Sequence, residues 1–246
     1  MEIEELGQHI SRRFNEDLEH VRNSVLAMGG LVEEQFDRAI KALTDADSAL
    51  GLQVAEDDIK VNRMEVAIDE ECSRILATRA PTASDLRLII AIIKTITDLE
   101  RIGDEAEKVG VLAARLASVE RPSTNYRELR NLAQHVKKMV RNTLDAFARL
   151  DALAALEVVK ADDVVDEEYE SIYRQGITFM MEDPRTISRV MDTTWMARAL
   201  ERIGDHAKNI CEYVIFMVHG KDIRYMGLDS IEEEVRKGVR REEAGS

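Results

Sequence analysis

Proline, cysteine and aromatic residues are scarce in this chain. Only 3 prolines and 12 glycines punctuate its 246 residues, too few for an architecture of many short strands joined by tight turns. Aromatic residues make up 4%, so the apolar content is mostly aliphatic and favours helices. Cys72 and Cys211 are the only cysteines and lie far apart. That excludes a disulfide framework and favours buried free thiols over a bridge or a thiolate metal site. Basic charge is also short: 34 Lys and Arg stand against 48 Asp and Glu, a net charge of −14. A nucleic-acid or anionic-membrane surface is excluded on that ground, since both need clustered Lys and Arg. Cations, or a basic patch on another protein, are the natural partners. The longest strongly apolar run, Leu88 to Ile93, is far too short to span a bilayer. The start, Met1-Glu2-Ile3-Glu4-Glu5, lacks the basic and apolar regions of a signal peptide, so a soluble cytoplasmic protein is expected.

What is present is a repeat. Leu99-Glu100-Arg101-Ile102-Gly103-Asp104 returns letter for letter as Leu200-Glu201-Arg202-Ile203-Gly204-Asp205, an offset of 200 − 99 = 101 residues. Ala106 and Ala207 extend the match. A period near half the chain marks a duplicated structural unit.

Helical periodicity runs through both units. Leu18, Val21, Val25, Leu26, Val32, Phe36 and Ile40 mark a first helix from about Gln8 to Thr44, weakened and open to bending at Gly29-Gly30. Asp45 or Asp47 caps a second, running to Arg79 before the break at Pro81. Thr82 with Asp85 resembles a capping box for a third, from Ala83 to Ser118. Asn125 with Glu128 opens a fourth to Leu150, a fifth covers Asp151 to Glu182, and Asp183-Pro184 starts a sixth that stops near His219-Gly220. The fold class expected is all-α, two tandem three-helix bundles: residues 1–120, residues 121–220, and a charged, frayed tail over 221–246 with one weak helix near Ile231 to Val239.

The duplicated carboxylates stand apart from both faces of their helix. At about 100° per residue, Leu88, Ile92, Leu99, Ile102, Ala106 and Val109 form the core stripe, and Arg87, Lys94, Asp98, Arg101 and Glu105 the solvated face. Glu100 and Asp104 fall between them, continuing a stripe of Ile89, Ile93 and Ile96. On the second helix Asp58, Asn62, Glu65 and Asp69 line one face, where like charges repel unless neutralised. On the fifth, Asp162 and Asp166 reproduce the first two positions, while Tyr169 and Tyr173 take the others. Folding each hairpin brings Asp58 and Asn62 level with Glu100 and Asp104, and Asp162 and Asp166 level with Glu201 and Asp205. All-oxygen clusters suit Mg²⁺, Ca²⁺ or Mn²⁺ and also hold iron. The bland alternatives are an unfilled acidic surface or an ion-pair network with Arg101 and Arg202; exact duplication favours the cation reading. His206, about 140° from Glu201, reads as a surface residue, and Met180, Met181, Met191 and Met196 as core filler. The chain contains no Glu-x-x-His partner for these carboxylates, no Walker-type loop and no nucleophile elbow.

The two Leu-Glu-Arg-Ile-Gly-Asp motifs, with Asp58-x-x-Val61-Asn62, Asp162-x-x-Val165-Asp166 and the stretch Arg79-Ala80-Pro81 to Asp85-Leu86-Arg87, resemble the PhoU family over about Gln8 to His219. The resemblance implies two three-helix bundles and metal ions on Asp58, Glu100, Asp104, Asp162, Asp166, Glu201 and Asp205, with Asn62 where the second half has Asp166. The metal's identity stays open among Mg, Mn, Fe, Zn and Ca. It also implies negative regulation of the phosphate-starvation response. The family's partners are the ATPase subunit of the phosphate ABC transporter and the PhoR sensor histidine kinase, so the protein would be peripheral to the inner membrane through them. It would commonly be a homodimer, with no enzymatic activity. Two competing classes are an all-α Mg²⁺-dependent nucleotide pyrophosphohydrolase, whose Glu-x-x-Glu spacing differs from the spacing of four here, and a metal-free helical scaffold.

Overall fold

The computed structural model describes residues 3–79, 81, 83–119, 126–223, 226–227 and 230–236, with side chains from Phe14 onward. Seven α-helices are found among those up to residue 219: α1 (Ile3–Asp45), α2 (Ser48–Asp57), α3 (Ile59–Arg79), α4 (Ala83–Ala117), α5 (Arg127–Arg149), α6 (Ala152–Glu182) and α7 (Ile187–His219). Helix α1, the α2–α3 arm and α4 make one bundle; α5, α6 and α7 make the other. Helices α4 and α7 pack along each other at the centre, and α1 touches α5, so one continuous core runs through both bundles.

Local chemistry sets the helix ends, and it does so twice. The Asp47 side chain accepts from the Leu50 amide at 2.9 Å, and Asp151 accepts from Ala154 at 2.9 Å. The turns before these caps place Ala46 (φ 56°) and Leu150 (φ 51°) in the left-handed region at matching positions. The expected second helix is divided, because Asp58 forms a turn between α2 and α3. Helix α1 runs unbroken through Gly29-Gly30. Gly29 lies where a Cβ would run into Leu144 of α5, so it serves close packing rather than a bend. Thr82 and Asn125, the expected caps of α4 and α5, lie outside the described residues. Pro184 follows the Asp183 cap in a single 3-10 turn, and Gly220 closes α7 at φ +70°.

Three expectations are overturned. Asp98 and Glu105, assigned to solvent, are 2% and 3% exposed, because α7 packs over that face of α4. His206 is likewise buried, with Nδ1 2.8 Å from Asp98 Oδ1, and Arg202 reaches Glu105 at 3.1 Å. A periodicity argument within one bundle cannot see a second bundle. Of the four methionines read as core, Met196 is buried, but Met181 is 80% exposed and Met191 36%. The expected short helix of the tail is found: residues 230–236 are helical, bury Ile231 and Val235, and are tied to α6 by Glu232 to Lys160 at 2.8 Å. Both cysteines are buried free thiols, pushed up to about 12 by desolvation.

Candidate metal centres

The expected hairpin register is the one observed. A Cβ built on Gly103 would stand 3.0 Å from Asp58 Oδ1, and one on Gly204 would stand 3.6 Å from Asp162 Oδ1. Glycine in the repeated motif is therefore what lets the carboxylate-bearing helix come close.

In the first half, Asp58 is buried and accepts from Gln35 Nε2 at 2.9 Å and from Asn62 Nδ2 at 3.1 Å. Asp58, Asp104 and Glu107 each bring a carboxylate oxygen within 4.8 Å of the others. Glu100 lies one turn earlier on α4, near enough to feel the charges of Asp104, Glu65 and Asp58. Its carboxyl is raised by burial first, then by Asp104, Glu65 and Asp58. Asp104 and Glu107 are raised by burial and next by Asp58. Glu65 faces the cluster beside Thr97, whose hydroxyl lies 3.5 Å from its Oε1, whereas Asp69 is exposed on the flank. The two residues missed from sequence are Glu107 and Gln35. Glu107 continues the spacing 100, 104, 107 along one face of α4 and was legible there; Gln35 comes from α1, and only the packing of three helices brings it in.

The second half repeats the frame with other neighbours. Asp162 is 1% exposed and Glu201 7%. Burial and then the charge of Asp205 push Glu201 up to about 7, against the pull of Arg198. Asp205 is raised by burial and Asp162, and Asp166 by burial, Asp162 and Asp205. Here two cations of the chain enter. Lys208 Nζ lies 2.6 Å from Asp162 Oδ2, and Arg198 bonds Glu201 Oε1. The Arg198 guanidinium also sits 5.6 Å over the Tyr169 ring. Arg101 and Arg202, the sequence candidates for an ion-pair network, instead reach Asp98 and Glu105 at the bundle interface.

The donor sets fit a hard divalent cation. Gln35 Oε1, Asn62 Oδ1, Asp162 Oδ1 and Glu201 Oε2 are buried oxygens without a hydrogen-bond partner, a costly arrangement unless something positive meets them. A bound cation would also relieve the mutual repulsion that raises these carboxyls. No nucleophile–base pair accompanies either cluster among the described residues, and no helix there is long and apolar enough to cross a membrane.

These features define a class: tandem-duplicated helical proteins that carry one carboxylate cluster per repeat. Comparison with known proteins narrows it. Residues 25–112 and 129–214 both match the PhoU domain. The chain is 55% identical over 230 residues to the phosphate-specific transport system accessory protein PhoU homolog of Pseudomonas aeruginosa, covering 94% of this chain and 95% of the relative. It is 47% identical over 228 residues to the Escherichia coli accessory protein PhoU, covering 93% and 94%. The crystal structure of PhoU from Pseudomonas aeruginosa superposes with TM-score 0.82 at 56% identity, over 85% of this chain and 100% of that one. The regulatory protein PhoU from Streptococcus pneumoniae superposes at 0.79 with 27% identity, over 85% and 98%. The chain belongs to the PhoU family.

Proposed function

We propose that this chain regulates phosphate transport as a non-enzymatic adaptor. It would link the ATPase subunit of a phosphate ABC transporter to the PhoR sensor histidine kinase and hold the phosphate-starvation response down when phosphate is plentiful. The observation that carries the reading is the repeated carboxylate frame, with Asp58, Asp104 and Glu107 within 4.8 Å of one another in the first half, on a fold shared with phosphate-transport accessory proteins. Asp58, Asn62, Glu100 and Asp104, joined by Glu107, would hold cations in the first repeat (residues 1–120). Asp162, Asp166, Glu201 and Asp205 would do so in the second (residues 121–220). A divalent cation supplies positive charge that keeps neighbouring carboxylates ionised and together. The chain's own residues aim the donors: Gln35 and Asn62 hold Asp58, and the two motif glycines admit the opposing helix. The protein would work as a homodimer on the cytoplasmic side of the membrane, reaching it only through partners, with no role for nucleic acid. A cluster of carboxylates repels phosphate, so direct phosphate binding would require the cations first.

The test is elemental analysis of protein purified without chelator, beside a variant with Glu100, Asp104, Glu201 and Asp205 all changed to alanine. Both are then assayed for capture of the transporter ATPase and the kinase's cytoplasmic region. Bound ions and partner capture that the folded variant loses support the reading. Metal-free wild type that still captures both partners removes the cations from it. Release of pyrophosphate from nucleoside triphosphates, abolished by Glu100→Ala, would replace the adaptor with an enzyme.

A further inference from the structure

The two hairpins carry different surfaces beside their acidic clusters. Arg198 of α7 lies 5.6 Å over the Tyr169 ring of α6, and Tyr169 meets Tyr173 at 6.4 Å between ring centroids. From there the same face of the second hairpin runs toward its tip as Tyr173, Ile177 and Met181 on α6 and as Met191 and Trp195 on α7, spaced by four along each helix. Their exposure runs from 36% at Met191 to 80% at Met181, with the chain's only tryptophan, Trp195, at 54%. Together they leave on the order of 600 Å² bare, the upper end of what a monomer exposes in one apolar patch and most of the roughly 800 Å² that each partner brings to a standard interface. The head of α5 lies on another side of the hairpin: Tyr126 shares a cavity with Phe179 and Thr193, which stand about 200° around their helices from Ile177 and Met191. Offsets of 104 from α3 to α6 and 101 from α4 to α7 put Asp69, Ser73, Ala77, Ile90 and Lys94 at the stripe's places in the first repeat, where Lys94 covers the Tyr213 ring at 5.4 Å. The stripe belongs to the second repeat alone.

We propose that a second copy of this chain covers the stripe, in a dimer that packs the α6–α7 hairpin of one protomer against that of its partner about a twofold axis. The inference rests on the homodimer in the function proposed above and gives it a face; it is independent of the cations and of the regulated transporter. The charges beside the stripe argue for a copy rather than for a charged partner. Glu170 is paired with Arg174 at 3.0 Å, Asp183 with Arg185 at 2.9 Å and Asp192 with Arg115 at 3.8 Å. Each anion there is matched by a cation of the same chain, so the rim selects no partner of opposite sign. Two such rims also meet without the repulsion that a net charge of −14 imposes on other pairings of this surface. What remains to be recognised is apolar area rich in aromatic and methionine side chains, the composition of an interface core, and an identical stripe supplies its complement. Because Asp69 and Lys94 stand in the first repeat where Tyr173 and Trp195 stand in the second, only one face per chain can pair, and the assembly closes at two copies.

Sedimentation velocity and the fluorescence of Trp195 test this on the full chain. The wild type is expected to sediment as a dimer at micromolar concentration, with Trp195 emission blue-shifted and shielded from acrylamide, and to move to the red as dilution dissociates it. Ile177→Glu places a charge at an exposed position, so the variant folds, and an unchanged far-ultraviolet circular dichroism spectrum verifies this. It should weaken the dimer at least about a hundredfold and leave Trp195 open to the quencher. Trp195→Glu should weaken it equally in sedimentation. Val164→Glu, about 180° around α6 from Tyr173, should leave both readouts as in the wild type. A monomeric wild type with Trp195 open to the quencher overturns the proposal and the homodimer with it, while the regulatory reading stands or falls on partner capture. A dimer indifferent to both Ile177→Glu and Trp195→Glu overturns the face alone. Loss of ATPase or kinase capture by an Ile177→Glu protein that remains dimeric overturns it too, and assigns the stripe to that partner.

Discussion

The two acidic clusters share three carboxylates (Asp58 with Asp162, Glu100 with Glu201, Asp104 with Asp205), have Asn62 against Asp166 at the fourth position, and differ in almost everything around them. Glu107 in the first is matched by Lys208 in the second, Gln35 by Met139, Glu65 by Tyr169, and Thr97 by Arg198. The changes go together. Where Thr97 reaches Glu65, Arg198 stacks on Tyr169 and bonds Glu201. Where Glu107 adds a carboxylate to Asp58 and Asp104, Lys208 neutralises Asp162. The first cluster needs its positive charge from outside; the second carries part of it on its own side chains. A duplicated motif has thus kept its geometry while its charge balance diverged, so the first cluster should hold a cation more tightly than the second.

The comparison breaks most visibly at the helix crossing that supports the first cluster. A Cβ on Gly110 would meet the Gly51 carbonyl at 2.7 Å and Val54 Cβ at 3.1 Å, whereas the second repeat has Ala155 and Cys211 at these places. Gly110→Cys, which writes the second repeat's residue into the first, should cost about 3 kcal/mol in urea unfolding. Little loss would mean the two crossings are interchangeable.

The pH dependence separates the clusters next. Glu201 titrates near 7 in the folded chain and near 4.5 when unfolded. The native state therefore holds the proton more tightly, and stability falls as pH rises from about 4.5 to 7. Glu201→Gln should be more stable than the parent at pH 8 by about 2 kcal/mol and equal to it near pH 4. Thermal denaturation at the two pH values gives the difference; a constant offset would show that Glu201 does not titrate in this window.

Exchanging the divergent side chains sharpens the comparison further. Glu107→Lys should remove about 1–2 kcal/mol of the stabilisation that Mn²⁺ or Mg²⁺ confers, and Lys208→Glu should add a similar amount. Melting with and without cation measures both, and equal responses in the two variants would contradict unequal affinity. The smallest expected effect is Gln35→Met, which copies Met139 and deletes the amide that holds Asp58, costing about 1 kcal/mol in metal-free protein.

Much of this was legible in the residues themselves. The stripe Val21, Val25, Val32 and Phe36, the caps Asp47 and Asp151, and the stop at Gly220 announce their helices because each acts within one or two turns of chain. The levelling of Asp58 with Asp104 and of Asp162 with Asp205 followed from counting back from the hairpin tips, since helical rise is constant. The failures have one cause. Periodicity places Asp98, Glu105 and His206 in solvent and Met181 in the core, because each outcome depends on an element distant in sequence. Helix α7 packs over Asp98 and Glu105, and α4 over His206, while Met181 at the α6–α7 tip is exposed.

By itself, then, the sequence determined the helices, their duplication and the carboxylate spacing, all consequences of local periodicity, capping and constant rise per residue. Tertiary structure alone decided which charged face became an interface, that Gln35 holds Asp58, and that Lys208 and Arg198 neutralise the second cluster. Those are matters of which distant surfaces meet, and burial rather than propensity settles them.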